Sequence, residues 1–120
     1  MIEAQLRGIT WLENSPPDQF AQDPAVPFSL ELGVSIGPKG MPGEEIFYVN
    51  VMNSSFLAEE VRRSGAQLIT GAIVLDTFSL TAIETIVAEY CAGCRGETWR
   101  DVVWLLSRLG KWEYEGMTSL

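Results

Sequence analysis

Histidine is absent from this 120-residue chain. That absence removes the commonest general base, every Ser-His and Cys-His nucleophile pair and most zinc sites with nitrogen ligands. Cysteine is scarce: Cys91 and Cys94 are too few and too close in sequence to staple a secreted scaffold. Basic residues are scarce as well, eight Lys and Arg against sixteen Asp and Glu, for a net charge of −8. Such an excess repels phosphate backbones and anionic lipid, so neither nucleic acid nor a membrane is an expected partner. Long apolar runs are also missing. The richest stretch, Ala66 to Ile86, is interrupted by Thr70, Asp76 and Glu84, whereas a membrane span requires roughly 18 to 20 apolar residues. The opening Met-Ile-Glu-Ala-Gln places an acid where a secretory leader is basic, and the expectation is a cytoplasmic protein.

What is present suits one folded domain spanning residues 1–120: 47% hydrophobic, 10% aromatic and 20% charged residues. The acidity is lopsided. Residues 1–60 carry nine acids against Arg7 and Lys39, a net of −7, while residues 61–120 are nearly neutral at −1. Acids so placed either keep a small domain in solution or draw in a basic partner by long-range attraction.

Hydrophobic periodicity sets the expected elements. Ile2–Leu12 reads as a strand, followed by a proline-bearing loop over Glu13–Pro27. Phe28–Ile36 is the clearest strand, with Phe28, Leu30, Leu32, Val34 and Ile36 on one face and Ser29, Glu31, Gly33 and Ser35 on the other. Gly37–Glu45 holds three glycines and two prolines, enough turn chemistry to reverse the chain into Ile46–Met52, where Phe47, Val49 and Val51 point inward. Asn53, Ser54 and Ser55 offer caps for a short helix over Phe56–Ser64, stopped by Gly65. Gln67–Phe78, rich in Ile, Val, Leu and Thr, reads as one further strand, with Gly71 a point at which it can be interrupted. Ser79 caps a helix over Leu80–Ala92 whose stripe is Ile83, Ile86, Val87, Tyr90 and Cys91. Thr98, with Asp101 three residues on, caps a last helix that buries Val102, Val103, Leu105, Leu106 and Leu109 and ends at Gly110. Lys111–Glu115 alternates as a terminal edge strand. The expected fold class is α+β: a single domain, an antiparallel sheet with helices packed mainly on one face.

Few residues point to bond-making chemistry. Glu44-Glu45 and Glu59-Glu60 are adjacent pairs whose side chains diverge on a strand or a helix, so neither makes a two-carboxylate site by spacing. Cys91-Ala-Gly-Cys94 has the spacing of a redox or half-zinc motif. It closes a helix at its C-terminal end, however, whereas a reactive thiol is favoured at an N-terminus. Gly37-x-x-Gly40 with Lys39 lacks the spacing of a phosphate-binding loop and joins two strands, as a turn does. Of the tryptophans, Trp99 and Trp112 read as core, while Trp104, five positions from Trp99, fits either the core edge or an interface.

Specific strings carry more. Ile36-Gly-Pro-Lys-Gly40, then Gly43-Glu-Glu-Ile-Phe47-x-Val49-x-Val51, then Gly96-Glu-Thr-Trp99, and last Leu106-Ser-Arg-Leu-Gly-Lys-Trp-Glu-Tyr-Glu115 follow one another in order. Together they resemble the Immunity protein 8 family of bacterial polymorphic toxin systems, over Phe28 to Glu115. The resemblance implies an α+β protein that binds a cognate toxin and prevents self-killing, with no catalysis and no cofactor; the residues themselves show no metal constellation. Many such toxins are nucleases with basic clefts, which the acidic half of this chain suits as a partner.

The expected toxin contact is the loop Gly37–Glu45, with Lys39, Glu44 and Glu45, together with Glu31 and Tyr48 on the outward faces of the flanking strands. Acids there serve encounter, and an aromatic serves as a buried anchor. The same glycines are equally explained as turn formers. Two other readings stay open at this point: an adaptor that binds a different protein, and a small thiol redox protein using Cys91 and Cys94. Oligomeric state is open too.

Overall fold

A computed structural model describes residues 1–12 and 23–114. Most of the expected loop over Glu13–Pro27, and Glu115 of the expected last strand, therefore lie outside the described residues. The elements are β1 (Ile2–Trp11), β2 (Ser29–Pro38), β3 (Glu45–Asn53), α1 (Ser54–Ser64), β4 (Ala72–Leu75), α2 (Leu80–Ala92), β5 (Arg95–Gly96), α3 (Trp99–Leu106) and β6 (Lys111–Trp112).

Among the described residues these strands form one six-stranded sheet in the order β4-β3-β2-β1-β5, with β6 also paired to β3. The α+β class holds. The centre is the β2–β3 hairpin, antiparallel from Ile36↔Glu45 to Ser29↔Met52. Its inward residues follow strict alternation: Leu30, Leu32, Val34 and Ile36 on β2 and Phe47, Val49 and Val51 on β3 are buried. From α2, Ile83, Val87 and Cys91, and from α3, Val102, Val103 and Leu106, close the same core. Burial of this kind stabilises by roughly 25 cal/mol per Å² of apolar surface and dominates the fold.

One pair departs from antiparallel order. β4 runs parallel to β3, from Asn50↔Ala72 to Asn53↔Leu75. Parallel neighbours need a crossover connection, and α1 is that crossover. It lies on the face opposite α2 and α3, where Phe56 and Leu57 line a cavity with Asn50 and Met52 of the outer face of β3. Two of the three helices thus share the core face. The strand expected over Gln67–Phe78 shrinks to Ala72–Leu75, because Gln67–Thr70 is spent on completing that crossover.

The helix caps are as the sequence reads, apart from the C-terminal end of α3. Asn53 itself caps α1, and Gly65 ends it at φ 83°. Ser79 and Thr98 accept from Ala82 and Asp101 amides at the starts of α2 and α3. α3, however, stops at Leu106, three residues short of Leu109. Its Leu105 is 41% exposed rather than inward, and Ile86 of α2 is 49% exposed.

β5 was not legible in the sequence. It pairs Ile2↔Gly96 and Glu3↔Arg95 at the far edge of β1. β6 takes the N-terminal half of the β3 edge, Phe47↔Trp112 and Tyr48↔Lys111, while β4 takes the C-terminal half. Gly110 allows this convergence, since a Cβ there would stand 2.6 Å from the Tyr48 carbonyl oxygen.

Candidate functional site: the hairpin and the open sheet face

The five residues singled out from the sequence divide between two faces. Glu31 and Tyr48 lie on the outer face: Glu31 is opposite Asn50, and Tyr48 is opposite Gly33, so the two are diagonal neighbours across β2 and β3. Lys111 of β6 stands opposite Tyr48 on its other side. Gly33 supplies no side chain, and Leu12 and Ile46 fill the space above it. The outer face therefore carries an apolar centre of Leu12, Ile46 and Tyr48 with Glu31 beside it. Neither Leu12 nor Ile46 was singled out from the sequence, since only the register places them over Gly33.

Glu45 is turned the other way. It pairs with Ile36, whose side chain is fully buried, and its Oε2 accepts from Trp112 Nε1 at 3.3 Å. Glu44, one residue earlier, precedes β3 and is exposed. The structure thus brings Glu31 and Tyr48 together, leaves Glu44 free at the hairpin end, and commits Glu45 to the packing of Trp112.

Lys39 is also committed. Its amide donates to the Glu3 carbonyl at 2.8 Å, and its ammonium lies 3.6 Å from the Glu3 carboxylate, which Arg95 approaches to 3.0 Å from the other side. Lys39 and Arg95 are exposed while Glu3 is half-buried, and the pairs contribute little, about 0–1 kcal/mol each. Their role is to seat the turn on β1.

Arg7 completes that seat. A β-bulge between Leu6 and Gly8 leaves Arg7 as the extra residue, and its guanidinium donates to the carbonyl oxygens of Pro38 and Met41, both at 2.7 Å. A side chain at position 37 would collide with the Gly43 carbonyl and stand 2.9 Å from the Arg7 guanidinium, so glycine is required there by close approach. The bulge also keeps Leu6 and Ile9, three positions apart, opposite the buried Ile36 and Val34. The Gly-Pro-Lys-Gly string is thus a rigid turn clamped by β1.

Cavities give no sign of a reaction centre. The groove between β1 and α2, about 460 Å³, is lined by Glu3, Gln5, Leu6, Lys39, Glu84 and small residues. Among the described residues no three His, Cys, Asp or Glu side chains converge as a metal site. Cys91 and Cys94 are free thiols, both buried. Burial, and then the neighbouring Cys94, push the Cys91 thiol up to about 12, and burial raises Cys94 as well. A thiolate nucleophile needs the opposite shift. Of the tryptophans, Trp99 and Trp112 pack against the core, whereas Trp104 is 78% exposed.

The described residues form an α+β scaffold whose outer sheet face carries Leu12, Ile46, Tyr48 and Glu31. The chain belongs to the Immunity protein 8 family, whose profile matches residues 4–117, nearly its whole length. No curated relative and no solved structure matches it. No helix among the described residues is long and apolar enough to cross a membrane.

Proposed function

We propose that this protein binds a cognate bacterial toxin of a polymorphic toxin system and neutralises it by occupying its surface, so that the producing cell is not intoxicated. Membership of the Immunity protein 8 family carries the proposal. The protein acts without catalysis and without a cofactor, in the cytoplasm where the toxin would otherwise do harm. The toxin that best suits the charge pattern is a nuclease with a basic cleft, since the −7 of residues 1–60 would steer such a cleft and compete with phosphate.

The contact surface is the outer face of β2 and β3 with the hairpin end: Glu31 and Glu44 for encounter, Tyr48 as the anchor. Glu45 and Lys39 support that surface from behind, holding Trp112 and the turn. An interface of this class buries roughly 1,200 to 2,000 Å² in total, which one sheet face and its hairpin can supply.

The deciding experiment is co-expression with the C-terminal domain of the toxin encoded next to the gene. Protection and a stable co-purified complex are expected. If the folded protein neither binds nor protects against that domain, the proposal fails.

A further inference from the structure

The described sheet has two ends. At one, β5 is two residues long, and its Arg95 is ion-paired with Glu3. At the other, β4 is unguarded. The Asn50 amide donates to the Gly71 carbonyl at 3.1 Å, so alternation along the strand turns the N–H and C=O of Ala72 and Val74 away from β3. No described strand pairs with that side. Natural edge strands are usually blunted by charge, proline or a bulge. Here no charged residue and no proline occurs between Arg63 and Asp76.

Apolar side chains flank this edge on both faces. Val74 is 42% exposed on the outer side, and Leu68, 94% exposed, lines a cavity with Ala72 there. On the inner side, Ile86 borders a cavity of about 430 Å³ with Ile73, Tyr90, Glu89 and Arg108. In a chain this acidic, a strand with no charged residue of its own and an open hydrogen-bonding side suits a partner that brings an extended uncharged strand.

We propose that the partner is a second copy of this chain, paired antiparallel through β4 about a two-fold axis normal to the sheet. β4 is itself the strand with the required chemistry, so the edge is self-complementary. Directly opposed residues of an antiparallel pair share a face. Ile73, which points to the core, therefore opposes Ile73 of the second copy, and Ala72 opposes Val74. This register uses the outward N–H and C=O of both residues in each copy. β4 itself carries no charged residue, so no like charges oppose one another along the paired strands, while Glu60 borders the edge on the outer side and Glu89 with Arg108 on the inner side. A basic toxin would be drawn instead to Glu31 and Glu44. The two-fold arrangement leaves those residues open in both copies, so this proposal does not rest on the proposed function.

The test is sedimentation equilibrium of the full chain over micromolar concentrations, with Val74→Pro and Val74→Lys. The Val74 amide faces the open side, so proline there spares the ladder to β3 and blocks only the new pairing. The unsubstituted chain is expected to reach twice its 13.3 kDa mass. Both variants are expected to dissociate at least about tenfold more readily with unchanged circular dichroism. If Val74→Pro misfolds, Val74→Lys decides alone. A monomeric unsubstituted chain, or a dimer indifferent to the folded variants, overturns the proposal. A monomer whose Val74→Lys form loses capture of the toxin domain overturns it too, and assigns the edge to a toxin strand.

Discussion

Trp112 Nε1 donates to Glu45 Oε2 at 3.3 Å, joining the last described strand to the start of β3 across 67 residues. Glu44, its neighbour in sequence, is exposed and has no such tie among the described residues. The two acids should therefore separate on substitution. Glu45→Lys is expected to lower unfolding free energy by about 1–2 kcal/mol, because the indole N–H loses its acceptor while half-buried. Glu44→Lys should change stability by less than about 0.5 kcal/mol and instead slow association with the toxin. Urea unfolding and stopped-flow binding at two salt concentrations measure the two effects. Equal stability loss in both variants would contradict this division.

Part of this pattern is legible in the sequence and part is not. The core face of β2 and β3 follows from alternation alone, because those strands are buried on one side only. The N-terminal end of α2 is marked by Ser79, and both its ends fall where the sequence places them. By contrast, the division between Glu44 and Glu45 depends on which residue stands opposite Ile36, and a register slip of one would reverse it. β5 is too short for any periodicity and is held by its neighbours, including the Ala4 amide on the Cys94 carbonyl at 3.0 Å. The parallel placement of β4 is a tertiary outcome: an uncharged apolar run reads the same in either direction. Arg7 looks like an isolated charge until the bulge aims it at Pro38 and Met41.

Asn53 is the buried polar side chain on which three segments meet. Its Oδ1 accepts from the Phe28 and Phe56 amides, both at 3.0 Å, and its Nδ2 donates to the Val26 carbonyl at 2.7 Å. It caps α1 and fixes the entry to β2 in the same stroke. Asn53→Ala is expected to cost about 3 kcal/mol, from the lost cap together with buried groups left unpaired. Asn53→Asp keeps the acceptor and loses the donor to Val26, so it should also destabilise. Chemical denaturation of both variants checks this, and a cost below about 0.5 kcal/mol would show that water replaces the side chain.

The turn clamp gives a test of the hairpin as a rigid binding element. Gly37→Ala forces a Cβ against the Gly43 carbonyl and the Arg7 guanidinium, and should cost about 2 kcal/mol or more. Arg7→Ala removes two charge-assisted hydrogen bonds and should cost about 1–2 kcal/mol. Under the proposed function, Arg7→Ala also weakens toxin binding through faster dissociation, because the hairpin is then ordered at the expense of the complex. Calorimetric melting paired with dissociation rates measures both. Binding unaffected by a loosened turn would remove the hairpin from the contact.

Trp104 and Trp112 should behave oppositely. Trp104 is exposed on α3 and touches little, so Trp104→Ser should leave stability within about 0.5 kcal/mol. Trp112 packs against the core and stacks edge-on with Tyr114 at 5.4 Å between ring centroids. Trp112→Ala should cost about 2–4 kcal/mol. Denaturation midpoints of the pair distinguish a surface indole from a structural one.

The cysteine pair predicts a pH dependence with a definite sign. Burial holds the Cys91 thiol up to about 12, above the roughly 8.5 of an exposed thiol. The folded state therefore keeps its proton where the unfolded state loses it. The resulting contribution is complete below the unfolded pKa and is lost as pH rises toward the folded one, so stability should decline across the alkaline range. Cys91→Ala should flatten that decline, by at most about 1.4 kcal/mol per pH unit. Native alkylation of both thiols should be far slower than that of the urea-unfolded chain, since the thiolate is both rare and covered. If the protein works by covering a toxin, Cys91→Ser with Cys94→Ser should retain full protection wherever it stays folded. Loss of protection in that folded double variant, with rapid native alkylation, would instead mark the pair as a working dithiol.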